Sequence, residues 1–234
     1  MIDVIAFDAD DTLWHTECLY VSVQHRYRQL LAKYPVTADV DAALYQTEMR
    51  NLPSYGYGIK AFALSMIETA IQLTGGQIQA GDIQIIIDLI REMLTAEVRL
   101  IEHAAETIAL LSRSHTLMLI TKGDLIDQEA KVARSGLAEY FTYVEIVSDK
   151  NLAVYQALLS RHNILPARFL MVGNSLRSDI LPIIALGGQA VYIPYHLTWA
   201  HENDVDPVLA NRGYHQIEHL GQLPILVERL SHAV

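Results

Sequence analysis

Apolar residues along this chain follow two rhythms. Five short stretches, residues 2–7, 116–120, 142–147, 168–172 and 189–193, are dense in apolar side chains and have the length of buried strands. The four after the first are separated by stretches with helical spacing, such as Leu152, Tyr155, Leu158 and Leu159. That alternation predicts a parallel sheet with helices on both faces. In such a sheet, ligands bind at the carboxyl ends of the strands.

The interval between the first and second strands reads as helical throughout. Leu19, Val23, Tyr27, Leu30, Leu31 and Tyr34 form one apolar stripe. Ile59, Phe62, Ala63, Met66, Ile67, Ala70 and Ile71 form a second, stopped by Gly75 and Gly76. Ile83, Ile86, Ile87, Ile90, Met93 and Leu94 form a third. A short helix is expected at 40–49, a sixth strand at 214–217 and a last helix at 223–230. The predicted organisation is α/β: a Rossmann-like, doubly wound parallel sheet core made of residues 1–16 and 100–234. An α-helical cap, residues 17–99, is inserted after the first strand, where a lid would sit.

Composition narrows the setting. Apolar residues make up 51% of the chain, enough for a sizeable core, yet no apolar run approaches the roughly 18–20 residues of a membrane span. Asp3 and Asp8 fall where the apolar part of a secretory signal would lie. The single cysteine, Cys18, allows no intrachain disulfide, so a reducing cytoplasm is expected. A formal net charge of −10 argues against nucleic acid as a partner but not against a small phosphorylated one. No membrane partner is expected, and monomer and homodimer are both compatible with the sequence.

The chemistry gathers at the predicted strand ends. Asp8, Asp10 and Asp11 place three carboxylates within four positions, followed by Thr12. Such a cluster is costly to bury without a cation or protons, so it reads as a metal or acid–base site, or else as a helix-capping turn. Thr121 follows the second strand; its hydroxyl could hold a phosphoryl oxygen or cap a helix. Lys150 follows the third and could clamp a phosphate or lie in solvent. After the fourth come Gly173, Asn174 and Asp179, two of them oxygen donors suited to a hard cation. In a parallel sheet these four ends converge, and together they suit phosphoryl transfer.

In that order the residues resemble the haloacid dehalogenase-like hydrolase superfamily. Asp8, Asp10 and Thr12 match its first motif, Thr121 its second and Lys150 its third. Gly173 and Asp179 match the fourth, with Asn174 standing where an Asp is usual. The resemblance covers residues 1–15 and about 100–195, and the inserted helices look like the family's helical cap. It implies a Mg2+-dependent phosphomonoester hydrolase with Asp8 as nucleophile and Asp10 as general acid and base. It implies Mg2+ held by Asp8, the Asp10 carbonyl, Asp179 and Asn174. Phosphate oxygens would be held by Thr121, Lys150 and the main-chain N–H groups of Asp10, Asp11 and Lys122; the Lys122 side chain could add positive charge there or point away. The substrate would be a small phosphorylated metabolite. Tyr55, Tyr57 and Lys60, around a Gly-rich turn of the cap, are candidate substrate contacts. Trp14 and Trp199 read as packing residues, and His15 as a hinge residue.

Two rival enzymes share the family pattern. A dehalogenase would not need the acid at position 10, whereas a phosphomutase would keep all four motifs. A degenerate binding protein is the non-enzymatic alternative, motivated by Asn174.

Overall fold

The computed structural model describes residues 2–197, 199–203 and 213–232. Its contacts divide the chain into two units, one of residues 1–17, 98–122 and 128–234, the other of residues 18–97 and 123–127. The chain therefore passes between the units four times, around residues 17–18, 97–98, 122–123 and 127–128.

The first unit is built on a six-stranded sheet in the order β3-β2-β1-β4-β5-β6, every pair parallel. The strands are β1 (Val4–Phe7), β2 (Thr116–Lys122), β3 (Tyr143–Val147), β4 (Phe169–Gly173), β5 (Gln189–Tyr192) and β6 (His215–Gln216). Alternation along each central strand feeds two cores. Ile5, Phe7, Leu117, Leu119, Leu170 and Val172 pack with Ile108 and Leu111 of α5 (Ala104–Leu111) and Leu223 and Val227 of α10 (Leu223–His232). Val4, Ala6, Met118, Ile120, Phe169 and Met171 pack on the other face with Tyr155, Leu158 and Leu159 of α7 (Leu152–Arg161). Full burial on both faces explains why β1, β2 and β4 read as continuous apolar runs. The edge strand β3 is only partly buried.

The second unit is an all-helical bundle of α1 (Glu17–Leu31), α2 (Val40–Tyr55), α3 (Ile59–Leu73) and α4 (Ala80–Thr95). The predicted stripes form its core, with Val23, Tyr27, Leu31, Phe62, Met66, Ile86 and Ile90 buried together. Helix α2 runs six residues past its expected end. Asp39 caps it by accepting from the N–H groups of Asp41 and Ala42, and Gly56 (φ 71°) stops it. Pro53 lies in its last turn, where one missing N–H costs a single helical hydrogen bond.

The chain leaves and re-enters the sheet unit along two adjacent linkers. Trp14 and Leu100 form an antiparallel bridge, His15 N–H donates to the Arg99 carbonyl (3.0 Å) and Ile101 N–H to the Leu13 carbonyl (2.9 Å). No helix among the described residues is long and apolar enough to cross a membrane.

Candidate active site

Strand β1 lies between β2 and β4, and its last pairs are Phe7 with Leu119 and Phe7 with Val172. One step beyond, Asp8 extends the ladder by donating its N–H to the Val172 carbonyl (2.9 Å). The chain then turns tightly. The N–H groups of Thr12, Leu13 and Trp14 all converge on the Ala9 carbonyl, at 3.2, 2.8 and 3.3 Å, with Asp11 in the left-handed region (φ 61°). An Asp tolerates that conformation better than most residues because its short polar chain bonds locally. Here the Asp11 carboxylate accepts from the N–H groups of Thr16 and Glu17 at the start of α1.

The centre of the site is a buried trio. Lys150, which follows β3, places its ammonium against Asp8 Oδ1 and 2.8 Å from Asp179 Oδ1. Lys150 is 4% exposed, Asp8 7% and Asp179 1%. Asp8 Oδ2 accepts from the Thr12 hydroxyl (3.0 Å), and the same hydroxyl oxygen lies 3.2 Å from Asn174 Oδ1. Asp179 sits on a π-helical turn (Leu176–Ile180), and its Oδ2 accepts the Ser175 N–H (3.0 Å). Gly173 makes that approach possible. A Cβ there would fall 2.3 Å from Asp179 Oδ2 and 2.6 Å from its Cβ, closer than any real contact.

Two carboxylates against one ammonium leave a buried excess of negative charge. Burial, reinforced by Asp179, outweighs the attraction of Lys150 and pushes Asp8 up to about 7. Burial alone would lower the Lys150 pKa, but Asp179 and Asp8 hold it well above the usual lysine range, so it stays cationic.

Asp10 is held apart from the trio. Its Oδ1 accepts from Trp14 Nε1 (2.7 Å), the Thr16 hydroxyl (2.8 Å) and Lys131 Nζ (3.0 Å), its Oδ2 from Gln128 Nε2 (2.7 Å) and Lys131 (3.1 Å). Burial works to raise its pKa, but Lys131 and these hydrogen bonds prevail and lower it. Trp14, read from sequence as packing, does pack in the sheet core and also binds Asp10 through its indole N–H.

Several expectations about individual residues change. Thr121 lies inside β2, in register with Ile146, not after the strand; it is buried at 1% exposure. The Asp11 N–H, expected to meet a phosphate oxygen, donates to the Trp14 carbonyl (2.7 Å). Lys122 also lies within β2. Its ammonium donates to the Ser178 hydroxyl (2.9 Å) and pairs with Glu202, so it is neutralised by protein rather than held open for a phosphate.

Tyr55, Tyr57 and Lys60 belong to the helical unit. Tyr55 is the last residue of α2 rather than part of a loop, and it is exposed. Lys60 pairs with Asp124 of the same unit (2.7 Å). His15 Nδ1 hydrogen-bonds the Tyr195 hydroxyl (2.7 Å). Trp199 packs its ring against that of His201, at 4.9 Å between centroids.

Sequence reasoning missed Lys131, Gln128 and Glu202. Gln128 and Lys131 are polar side chains on the buried face of α6 (Leu125–Arg134), beside Val132. Polar residues at i and i+3 facing inward are the signal that could have found them. Glu202 lies on the short helix α9 (Ala200–Asn203) and accepts from the hydroxyls of Ser175 and Ser178 as well as from Lys122. Burial tends to raise its pKa, yet Lys122 and the two serines hold it at about 2.

The arrangement places one buried carboxylate at the end of β1 against a lysine and a second, two residues on, among its own set of donors. The family model for haloacid dehalogenase-like hydrolases matches residues 2–187. This chain belongs to that family. It is therefore a hydrolase with the family's α/β fold. A haloacid dehalogenase-like family hydrolase from Xanthomonas campestris superposes with a TM-score of 0.87 at 37% identity, over 98% of this chain and 91% of that one. A glyceraldehyde 3-phosphate phosphatase from Pyrococcus furiosus is 25% identical over 83% of this chain and 81% of its own length. A second protein of that name, from Methanothermobacter thermautotrophicus, is 31% identical over 42% of this chain, and the match spans 46% of its length.

Proposed function

We propose that the chain is a magnesium-dependent phosphomonoester hydrolase that acts on a small phosphorylated metabolite through an aspartyl-phosphate. The observation that carries this reading is the pairing of two differently held carboxylates. Asp8 lies against Lys150 with its charge incompletely balanced, and Asp10 is fixed nearby by Trp14, Thr16, Gln128 and Lys131. A dehalogenase has no proton to deliver to its leaving halide, so a second carboxylate held by four side chains favours an oxygen leaving group. Two relatives named glyceraldehyde 3-phosphate phosphatase support a short phosphorylated compound as substrate.

In this mechanism an Asp8 carboxylate oxygen attacks phosphorus as the ester P–O bond breaks. Asp10 must enter the cycle protonated; it gives that proton to the departing alkoxide, then regains one from the water that attacks the aspartyl-phosphate. That second displacement releases phosphate and restores Asp8. Lys150 and Thr121 neutralise and orient the phosphoryl oxygens.

The residues present fit a magnesium ion. The Asp8–Lys150–Asp179 trio is buried with one negative charge in excess, and Asn174 Oδ1 shares the Thr12 hydroxyl with Asp8. Among the described residues no group of three or more His, Cys, Asp or Glu side chains forms a metal cage. Mg2+ is commonly held by one or two carboxylates with waters completing its shell. Asp8, Asp179, Asn174 and the Asp10 carbonyl would hold it. When bound, it offsets the repulsion between the nucleophile and the phosphate dianion.

Release of inorganic phosphate from a panel of phosphorylated three- to six-carbon metabolites and 4-nitrophenyl phosphate, with Mg2+ and with EDTA, tests the reading. Turnover that needs Mg2+ is expected. No release from any ester in the presence of Mg2+ would refute it.

A further inference from the structure

We propose that Lys131 and Gln128 are positioning residues for Asp10, fixing the place and plane of the carboxylate that exchanges protons in the reaction. The inference rests on the phosphatase reading above and adds two residues to it.

Both side chains come from α6, three residues apart and so on one helix face. Both are buried, Gln128 at 2% exposure and Lys131 at 7%. The Lys131 ammonium spans the two carboxylate oxygens at 3.0 and 3.1 Å, while Gln128 holds Oδ2 at 2.7 Å. Contact with both oxygens fixes the carboxylate plane as well as its position. A single donor on Oδ1 would leave the group free to rotate about its Cβ–Cγ bond.

The cost of this arrangement argues for a purpose beyond folding. Gln128 also donates to the Lys122 carbonyl (3.1 Å), so its amide nitrogen is shared by Asp10 and the end of β2. Its own Oε1 is buried with no hydrogen-bond partner. An orphaned buried carbonyl is unfavourable, and apolar residues would fill the same place at lower cost. A desolvated lysine paired to a carboxylate is likewise poor evidence for stability alone. Both side chains hold the Asp10 carboxylate, and proton transfer needs that geometry held closely.

The test compares two esters with similar aromatic groups and different needs for an acid. 4-Nitrophenyl phosphate has a good leaving group, and benzyl phosphate has a poor one. kcat/KM reports the steps up to leaving-group departure. For Lys131→Met and Gln128→Leu, kcat/KM on benzyl phosphate should fall about tenfold to a hundredfold further than on 4-nitrophenyl phosphate. Lys131→Gln restores one donor, and its ratio should lie between wild type and Lys131→Met. A purely structural role would lower both substrates alike, and that result overturns the proposal, as does an unchanged ratio. Should Lys131→Met fail to fold, Lys131→Gln and Gln128→Leu are read by the same ratio. A wild-type chain that releases phosphate from no ester refutes the phosphatase reading itself, a separate failure.

Discussion

Replacing Asp8 with Asn removes the excess negative charge from the buried trio, and the metal-free protein should become more stable as its activity disappears. The Asp8 carboxyl rises from 3.8 to about 7, chiefly through burial and then through Asp179. That rise corresponds to about 4 kcal/mol of unfavourable interaction in the ionised state, a ceiling for the gain. Asn gives up the contact between Asp8 and Lys150, so a net gain of about 1–3 kcal/mol is expected. The sign follows from linkage. A carboxyl whose folded pKa is raised imposes no penalty below 3.8, a growing one between 3.8 and 7, and the full one above 7. Urea unfolding of Asp8→Asn and wild type in EDTA should therefore show the largest advantage for the variant at pH 8 and little at pH 4. Adding Mg2+ should stabilise the wild type more than the variant, because the ion binds the ionised site. A variant no more stable than wild type at pH 8, or an advantage that persists undiminished at pH 4, would refute the charge argument. Retained phosphatase activity in the variant would refute Asp8 as nucleophile.

Gly173→Ala should displace Asp179, because the new methyl meets its side chain at 2.3–2.6 Å; loss of about 2–4 kcal/mol in stability and of most activity is expected by denaturation and phosphate release. Asn174→Asp restores a charge beside Asp8 and should tighten Mg2+ binding by calorimetry; equal affinities would show that Asn174 does not face the ion. Glu202→Gln should destabilise the protein by up to about 3 kcal/mol at neutral pH, from the shift of 4.5 to about 2. A depressed carboxyl stabilises above its unfolded pKa, so the gap between wild type and variant should close as pH falls from 4.5 toward 2.

The acidic run from Asp8 stood out in the sequence because β1, buried on both faces, must be apolar. Polar residues directly after such a strand contrast with it. The helical stripes were legible because a bundle core imposes its spacing on the chain. Ends of elements were not, as in α2, which runs on to Tyr55 because Gly56, not any earlier breaker, lets the chain turn. Lys131, Gln128 and Glu202 were missed for another reason. Each acts on a residue far away in sequence, with Lys131 meeting Asp10 across 121 positions. Lys122 shows the reverse. Its place after Thr121 suggested a phosphate ligand, and only the fold reveals that Glu202 occupies its charge.

The paired linkers around Trp14 and Leu100 bear on how such a chain can change over evolution. Their main chains are hydrogen-bonded side by side, so the sheet unit presents an entry and an exit only one hydrogen bond apart. Whatever is spliced between them must bring its own two ends together, and here it also groups with residues 123–127, where Lys60 pairs with Asp124. Residues 18–97 meet the first condition with a bundle that has its own core. A longer, shorter or unrelated segment with adjacent termini could be exchanged there while β1 still delivers Asp8 to the same place. The helical segment can then change length or sequence while the strand ends of the sheet unit stay as they are.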